Sequence, residues 1–107
     1  MMEFKKEDIE KNKFLAAISY IPLLFIVTFA VAPNSEFAKA HAKQGLILFI
    51  VEVINGILSL IPIIGFLFRF LVGAVLFIVA VVAFVYAITG NYWKIPFIGD
   101  ISEEIKI

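Results

Sequence analysis

The chain contains no cysteine. Disulfides, thiolate nucleophiles and cysteine metal sites are therefore excluded. It has a single histidine, His41, so a histidine-rich metal site within one chain is excluded as well. Charge is scarce and balanced: nine basic and nine acidic residues give a formal net charge of zero. No polybasic field marks a nucleic-acid partner. There is no glycine-rich phosphate loop, no Ser-x-Gly context, and no acid at a triad spacing from His41. Catalytic residues, cofactors and metals are accordingly not expected. Lipidation motifs are missing too, since the second residue is Met2 and no cysteine is present. The chain shows no internal repeat and no low-complexity linker.

What remains is apolar surface. Of the 107 residues, 63% are hydrophobic, and the mean hydropathy is +1.05. A soluble domain of this size cannot hide that much apolar surface. Phe14–Ala32 and Phe70–Ile88 carry no charge at all, and Gly45–Ile61 is interrupted mainly by Glu52 and Asn55. About 20 apolar residues in a helix cover the roughly 30 Å of a bilayer's hydrocarbon core. The expected architecture is an all-α integral membrane bundle of three transmembrane helices, spanning about 14–32, 45–61 and 66–88. A polar segment, 1–13, precedes them as an interfacial lead-in or a frayed terminus. An interfacial tail, 89–107, follows. Lys5 and Lys6 with Ala30-Val31-Ala32 imitate a signal peptide. The run is longer than an h-region, however, and Pro33 follows directly, so a retained first helix is expected.

Local signals set the boundaries. Pro22 sits inside the first run, and Pro33-Asn34-Ser35 closes it, with Ser35 suited to start the next helix. Ile61-Pro62-Ile63-Ile64-Gly65 supplies a turn, since 45–88 as one helix would measure about 66 Å. Gly90-Asn91-Tyr92-Trp93-Lys94 ends the last span with an interfacial anchor. Gly73, Ala80, Ala83 and Ala87 place small residues on one stripe, a surface that seeks a partner helix and argues for a homo-oligomer. Three spans put the N-terminus and the Pro62 turn on one side. The basic residues then divide as Lys5, Lys6, Lys11, Lys13 and Arg69 against Lys39, Lys43, Lys94 and Lys106. This balance leans towards a multi-pass protein of the cell membrane with a cytoplasmic N-terminus.

The middle helix carries the candidate site. At about 100° per residue, His41, Gln44, Gly45, Glu52, Asn55, Gly56 and Ser59 fall in one sector about 120° wide. Glu52 lies about 10 Å along the helix from Gly45, inside hydrocarbon depth. A carboxylate there costs a few kcal/mol unless paired, protonated or hydrated, and Arg69 is a candidate partner. Two readings follow. His41, Glu52 and Asn55 line a polar path, or they form interhelical hydrogen bonds with Ser19 or Tyr20. His41, Lys43 and Gln44 form a polar cluster at the membrane entry. That cluster is suited to lipid phosphates or to a membrane-protein or peptide partner.

Ala17-Ile18-Ser19-Tyr20-Ile21-Pro22, then Phe37 to Leu46 with its His41-Ala42-Lys43-Gln44-Gly45-Leu46 string, then Gly90 and Ile95-Pro96, resemble a family of small uncharacterised prokaryotic membrane proteins. That family is itself distantly similar to the channel subunit of the chloroplast inner-envelope (Tic) translocon. The chain departs from it in having Ala40 where the family usually has an aromatic. It also shows three apolar runs where the plastid relatives have four spans. The resemblance implies a helical bundle with His41, Lys43 and Gln44 at signature positions. The expected function is a non-enzymatic interaction, scaffold or translocation-related subunit. An oligomeric transporter or channel built on His41, Glu52 and Asn55 is the alternative.

Overall fold

A computed structural model describes residues 4–105. Among them the elements are all helical: α1 (Lys6–Ile18), α2 (Phe25–Val31), α3 (Glu36–Leu58), α4 (Gly65–Leu67), a π-helical turn (Phe68–Val72), α5 (Gly73–Ile88) and α6 (Ile98–Glu104). From Gly65 to Ile88 the chain runs as one rod.

The first apolar run does not form a span. α1 stops at Ile18, the chain reverses, and α2 returns alongside it. The Thr28 hydroxyl donates to the Leu15 carbonyl at 2.7 Å, and Ser35 reaches back to Asp8. Pro22 offers no N–H to continue a helix, and Leu23 at φ 72° turns the backbone over. Each half is then too short to cross a bilayer. The three expected spans reduce to two helices long and apolar enough to cross, Glu36–Leu58 and Gly65–Ile88. Against them lies a half-depth helical hairpin. Its foot packs Phe25 on Phe49, ring centroids 5.7 Å apart, roughly 20 Å along α3.

This hairpin changes the sidedness. The start of α1, the α2–α3 junction, the end of α5 and α6 gather at one end of a molecule 50 Å long. Only the 59–64 turn and Arg69 lie at the other. Residues 33–44 are therefore on the N-terminal side, not opposite it. Every described lysine lies towards that end; Lys106, counted in the sequence balance, is outside the described residues. The absence of native cysteine makes a direct test available. Glu7→Cys, Asn34→Cys and Glu104→Cys are expected to react with an impermeant maleimide from the same face of a vesicle, and Ile63→Cys from the other. Labelling of Asn34→Cys opposite to Glu7→Cys would restore the three-span arrangement.

The reversal is used twice, and its second half a third time. Ser19-Tyr20-Ile21-Pro22-Leu23-Leu24 and Ser59-Leu60-Ile61-Pro62-Ile63-Ile64 adopt the same turn, a repeat that the sequence reading did not register. In both, the serine hydroxyl donates three residues back, to Ala16 and Gly56. In both, the residue after proline has positive φ, 72° at Leu23 and 73° at Ile63. Ile95-Pro96-Phe97-Ile98-Gly99 shares the second half, with Phe97 at φ 66°. At both later turns the N–H two residues after the proline donates to the proline carbonyl: Ile64 to Pro62 at 2.9 Å, and Ile98 to Pro96 at 2.7 Å. Such backbone costs about 1–3 kcal/mol per residue and is rarest for a β-branched side chain such as Ile63.

The packing is built from small residues. Ala16 and Ala17 of α1 and Ala83 and Ala87 of α5 are fully buried in one cluster with Tyr20, Phe37 and Leu48. The alanine stripe of α5 thus finds its partner in α1 of the same chain, and it does not call for a second copy. Gly45 lets α3 meet the end of α1 at backbone distance. A Cβ there would collide with the Ser19 carbonyl oxygen and sit 2.9 Å from its carbon.

From Phe4 onward the N-terminal segment is packed against the bundle; residues 1–3 lie outside the described residues. Phe4 packs edge-on against Phe37 and Tyr92, at 5.3 and 5.7 Å, and Ile9 joins the core margin. Asp8 accepts hydrogen bonds from Ser35 Oγ, from the Phe37 N–H at 3.0 Å and from Asn12 at 2.8 Å. Ser35 in turn caps α3 by accepting from the Ala38 N–H at 3.0 Å. Asp8 therefore places a carboxylate at the positive end of α3. Partial burial pushes its pKa up, but the hydrogen bonds from Ser35, Phe37, Asn12 and Glu36 prevail and hold it below its ordinary value. A group so depressed stabilises the fold above its unfolded pKa and stops doing so as pH falls through the folded one. The wild-type hairpin is expected to loosen on acidification through the carboxylate range, read as rising proteolysis near residues 32–36. Asp8→Asn is expected to abolish that dependence while being looser at neutral pH.

Candidate functional site

His41 and Gln44 lie one turn apart on α3, facing α1 and the loop that follows α5. Both are completely buried. His41 Nε2 lies 3.0 Å from the Asn91 carbonyl oxygen, and Nδ1 lies 2.7 Å from the Tyr20 hydroxyl. A carbonyl cannot donate, so Nε2 carries the hydrogen and Nδ1 accepts from Tyr20. Gln44 Nε2 donates to Tyr20 Oη at 2.8 Å and to the Trp93 carbonyl at 2.9 Å. Gln44 Oε1 accepts from the Ile95 N–H at 2.8 Å. Every polar group of the two side chains is used, and the direction of each bond follows from its partner. The histidine ring is also boxed edge-on by Phe37, Tyr20 and Tyr92, with centroids 4.7, 5.5 and 5.0 Å away. Three segments are tied at this knot: the foot of α1, the helix α3 and the 91–95 loop.

The stripe that joined His41 to Glu52 and Asn55 is therefore divided. Tyr20 is spent on the knot and does not reach Glu52 as a partner. Ser19 turns to the Ala16 carbonyl instead. Below Tyr20 a cavity of about 460 Å³ opens between the turn at Pro22, α3 and α5, and Glu52 and Asn55 line it. The Asn55 carboxamide oxygen is shielded from solvent and has no hydrogen-bond donor. Among the described residues no ion pair joins Glu52 to Arg69; Arg69 is exposed on the π-helical turn. Gly56, placed by angle on the polar face, has open space at its Cβ position.

Lys43 belongs to neither place. With Lys39, one turn earlier, it borders a groove of about 660 Å³ that also includes Glu36, Tyr92, Ser102 and Glu103. Lys94, beside this groove, bonds Glu103 at 2.7 Å and Asp100 at 2.9 Å. These hydrogen bonds to Glu103 and Asp100 push its pKa up and fasten α6 to the 91–95 loop. Gly99 is a further close point, since a Cβ there would sit 2.8 Å from Gln44 Oε1. No group of three His, Cys, Asp or Glu side chains gathers to hold a metal ion among the described residues.

Sequence reasoning offered Tyr20 as a hydrogen-bond partner of the polar stripe, and for His41 it is one; it missed Asp8, the bond from Gln44 to Tyr20, and the backbone groups of Asn91, Trp93 and Ile95. The only signal for the last was the Ile95-Pro96 pair, grouped with the His41 string by resemblance alone.

The magnetosome magnetite crystal formation protein family (MamF/MmsF) matches residues 12–102. This chain belongs to that family. It is 36% identical over 97 residues to a UPF0132 membrane protein of Archaeoglobus fulgidus, covering 88% of this chain and 94% of that one. It is 30% identical over 96 residues to the magnetosome protein MmsF of Paramagnetospirillum magneticum, covering 89% of each. MamF of the same organism is 29% identical over 90 residues, 83% of this chain and 80% of its own. No solved structure matches. The membrane-protein family expected from the His41–Leu46 string is thus established, and these relatives lend no support to the translocon link. The matched span, 12–102, runs from α1 to α6, so hairpin, knot and both long helices are family territory.

Proposed function

We propose that this family member is a non-enzymatic membrane scaffold that works through its charged end. One observation carries the reading. The signature side chains His41 and Gln44 have no free polar atom, so the chemistry they supply is structural. The lysine-bordered groove above them is open. Lys39 and Lys43 have no acidic partner within 4.0 Å among the described residues, while Glu36 and Glu103 face the same groove. Mixed charge beside the Tyr92 ring suits a polypeptide segment of a partner protein better than a small metabolite.

The orientation is part of the proposal. With every described lysine towards one end and Arg69 towards the other, the positive-inside rule favours a cytoplasmic side for the start of α1, for α6 and for the groove. Magnetite crystal formation is the description of the family, and its relatives MmsF and MamF are named as magnetosome proteins. The scaffold reading is compatible with it, because a scaffold acts on the membrane's protein content and needs no metal ligands of its own.

The test is site-specific crosslinking in native membranes. A photoreactive residue at Lys43 is expected to capture one defined protein, and Lys39→Glu is expected to reduce that capture several-fold. The same probe at Ile78, on the lipid face, is expected to capture lipid. Recovery of lipid alone from position 43 would remove the scaffold reading.

A further inference from the structure

The cavity beneath the hairpin combines three features. It is walled by Pro22 of the turn and by Gly73, Leu76 and Ala80 of α5, so most of its surface is apolar. Its lining carries Glu52 and Asn55, one turn apart on α3, beside Tyr20, whose hydroxyl is committed to His41 and Gln44. The Asn55 oxygen is buried without a donor, and among the described residues no lysine or arginine pairs with Glu52. A buried acceptor without a donor is unfavourable, and an ionisable group at membrane depth is retained at further cost. Both groups ask for the same complement, a donor that is also positive.

The wall is shaped to leave this room. Gly73 follows directly on the π-helical turn, an irregularity that recurs at functional sites. Its Cβ position meets nothing nearer than Asn55 Nδ2, at 3.8 Å. The glycine is therefore not required by helix contact, as it is at Gly45. Its effect is to leave the space in front of Asn55 empty. A volume near 460 Å³ falls within the range of small-molecule sites.

We propose that this cavity binds a membrane-dissolved primary amine, its ammonium placed between Glu52 and the Asn55 oxygen and its apolar body along Leu76 and Ala80. An ammonium has three hydrogens, enough for the carboxylate and the carboxamide together. A neutral alcohol satisfies only one of them and leaves the charge unmatched. The site is separate from the charged-end groove and stands whether or not the scaffold reading does.

The experiment uses the full chain in nanodiscs, with the Asn55 side-chain amide followed by NMR. Dodecylammonium is titrated against dodecanol, the same chain with a neutral head. The expected result is a saturable shift of the Asn55 amide with the amine, and an affinity for dodecanol lower by about tenfold or more, the value of one charge-assisted hydrogen bond. Glu52→Gln is expected to weaken amine binding by a similar factor, and Gly73→Leu to abolish it by filling the cavity. The Gln44 side-chain amide, locked in the knot, reports that each variant is folded. Equal binding of amine and alcohol overturns the proposal. So does a shift that survives both substitutions, or no saturable shift in the folded wild type.

Discussion

Gly45→Ala is expected to undock the N-terminal hairpin, whereas Gly56→Ala, eleven residues further along the same helix, is expected to be harmless or mildly stabilising. The two substitutions add the same methyl group to the same α3. At Gly45 it runs into the Ser19 carbonyl, a backbone atom that cannot swing aside; at Gly56 it enters open space. Overpacking against a fixed neighbour costs typically about 1–3 kcal/mol, and a backbone neighbour belongs at or above the upper end. Removing a helical glycine without a clash gains up to about 1 kcal/mol. The two variants should therefore separate by several degrees in thermal unfolding in detergent. Gly45→Ala should also expose residues 19–35 to protease. Equal behaviour would mean that α1 does not approach α3 at backbone distance.

Gln44→Leu is expected to be the most damaging polar-to-apolar change in the chain. It keeps a side chain of similar length but orphans the Ile95 N–H and the Trp93 carbonyl, and removes one donor from the Tyr20 hydroxyl. At about 1–3 kcal/mol for each buried group left unpaired, the loss should reach roughly 3–5 kcal/mol. Freed of its clasp, the 91–97 loop should become protease-sensitive and α6 should lose its dock. Lys43→Leu, at the adjacent position with no bond into the knot, should cost less than about 0.5 kcal/mol. If Lys43→Leu proved as destabilising as Gln44→Leu, position 44 would not be the clasp.

The membrane solvent, the start of α3 after Ser35 and the turn at Pro62 were legible in the sequence. Each rests on a local rule: the length of an apolar run, a serine cap at Ser35, proline and glycine punctuation. The half-depth hairpin was not. Residues 14–32 contain as many apolar residues as a span needs, and hydropathy cannot distinguish a helix that crosses from two that fold back. Pro22 was visible, but a proline in a membrane helix is as compatible with a kink as with a reversal. The deciding feature is positive φ at Leu23, and a leucine gives no warning of it. Helical angle correctly grouped His41 with Gln44. It failed to separate them from Glu52, because angle carries no information about depth and Tyr20 divides the stripe along the axis. The knot's other half is backbone, which has no signature in side-chain chemistry.

The half-depth hairpin also gives the molecule an uneven outline. At the charged end, α1 and α2 lie beside the two long helices, while beyond Phe49 those two continue alone. One leaflet must therefore make room for about twice as many helices as the other. Such a wedge fits with least lateral stretching where the membrane bulges towards the crowded side. The proline reversal that shortens the first helix thereby makes the protein's ease of residence depend on the curvature of its bilayer.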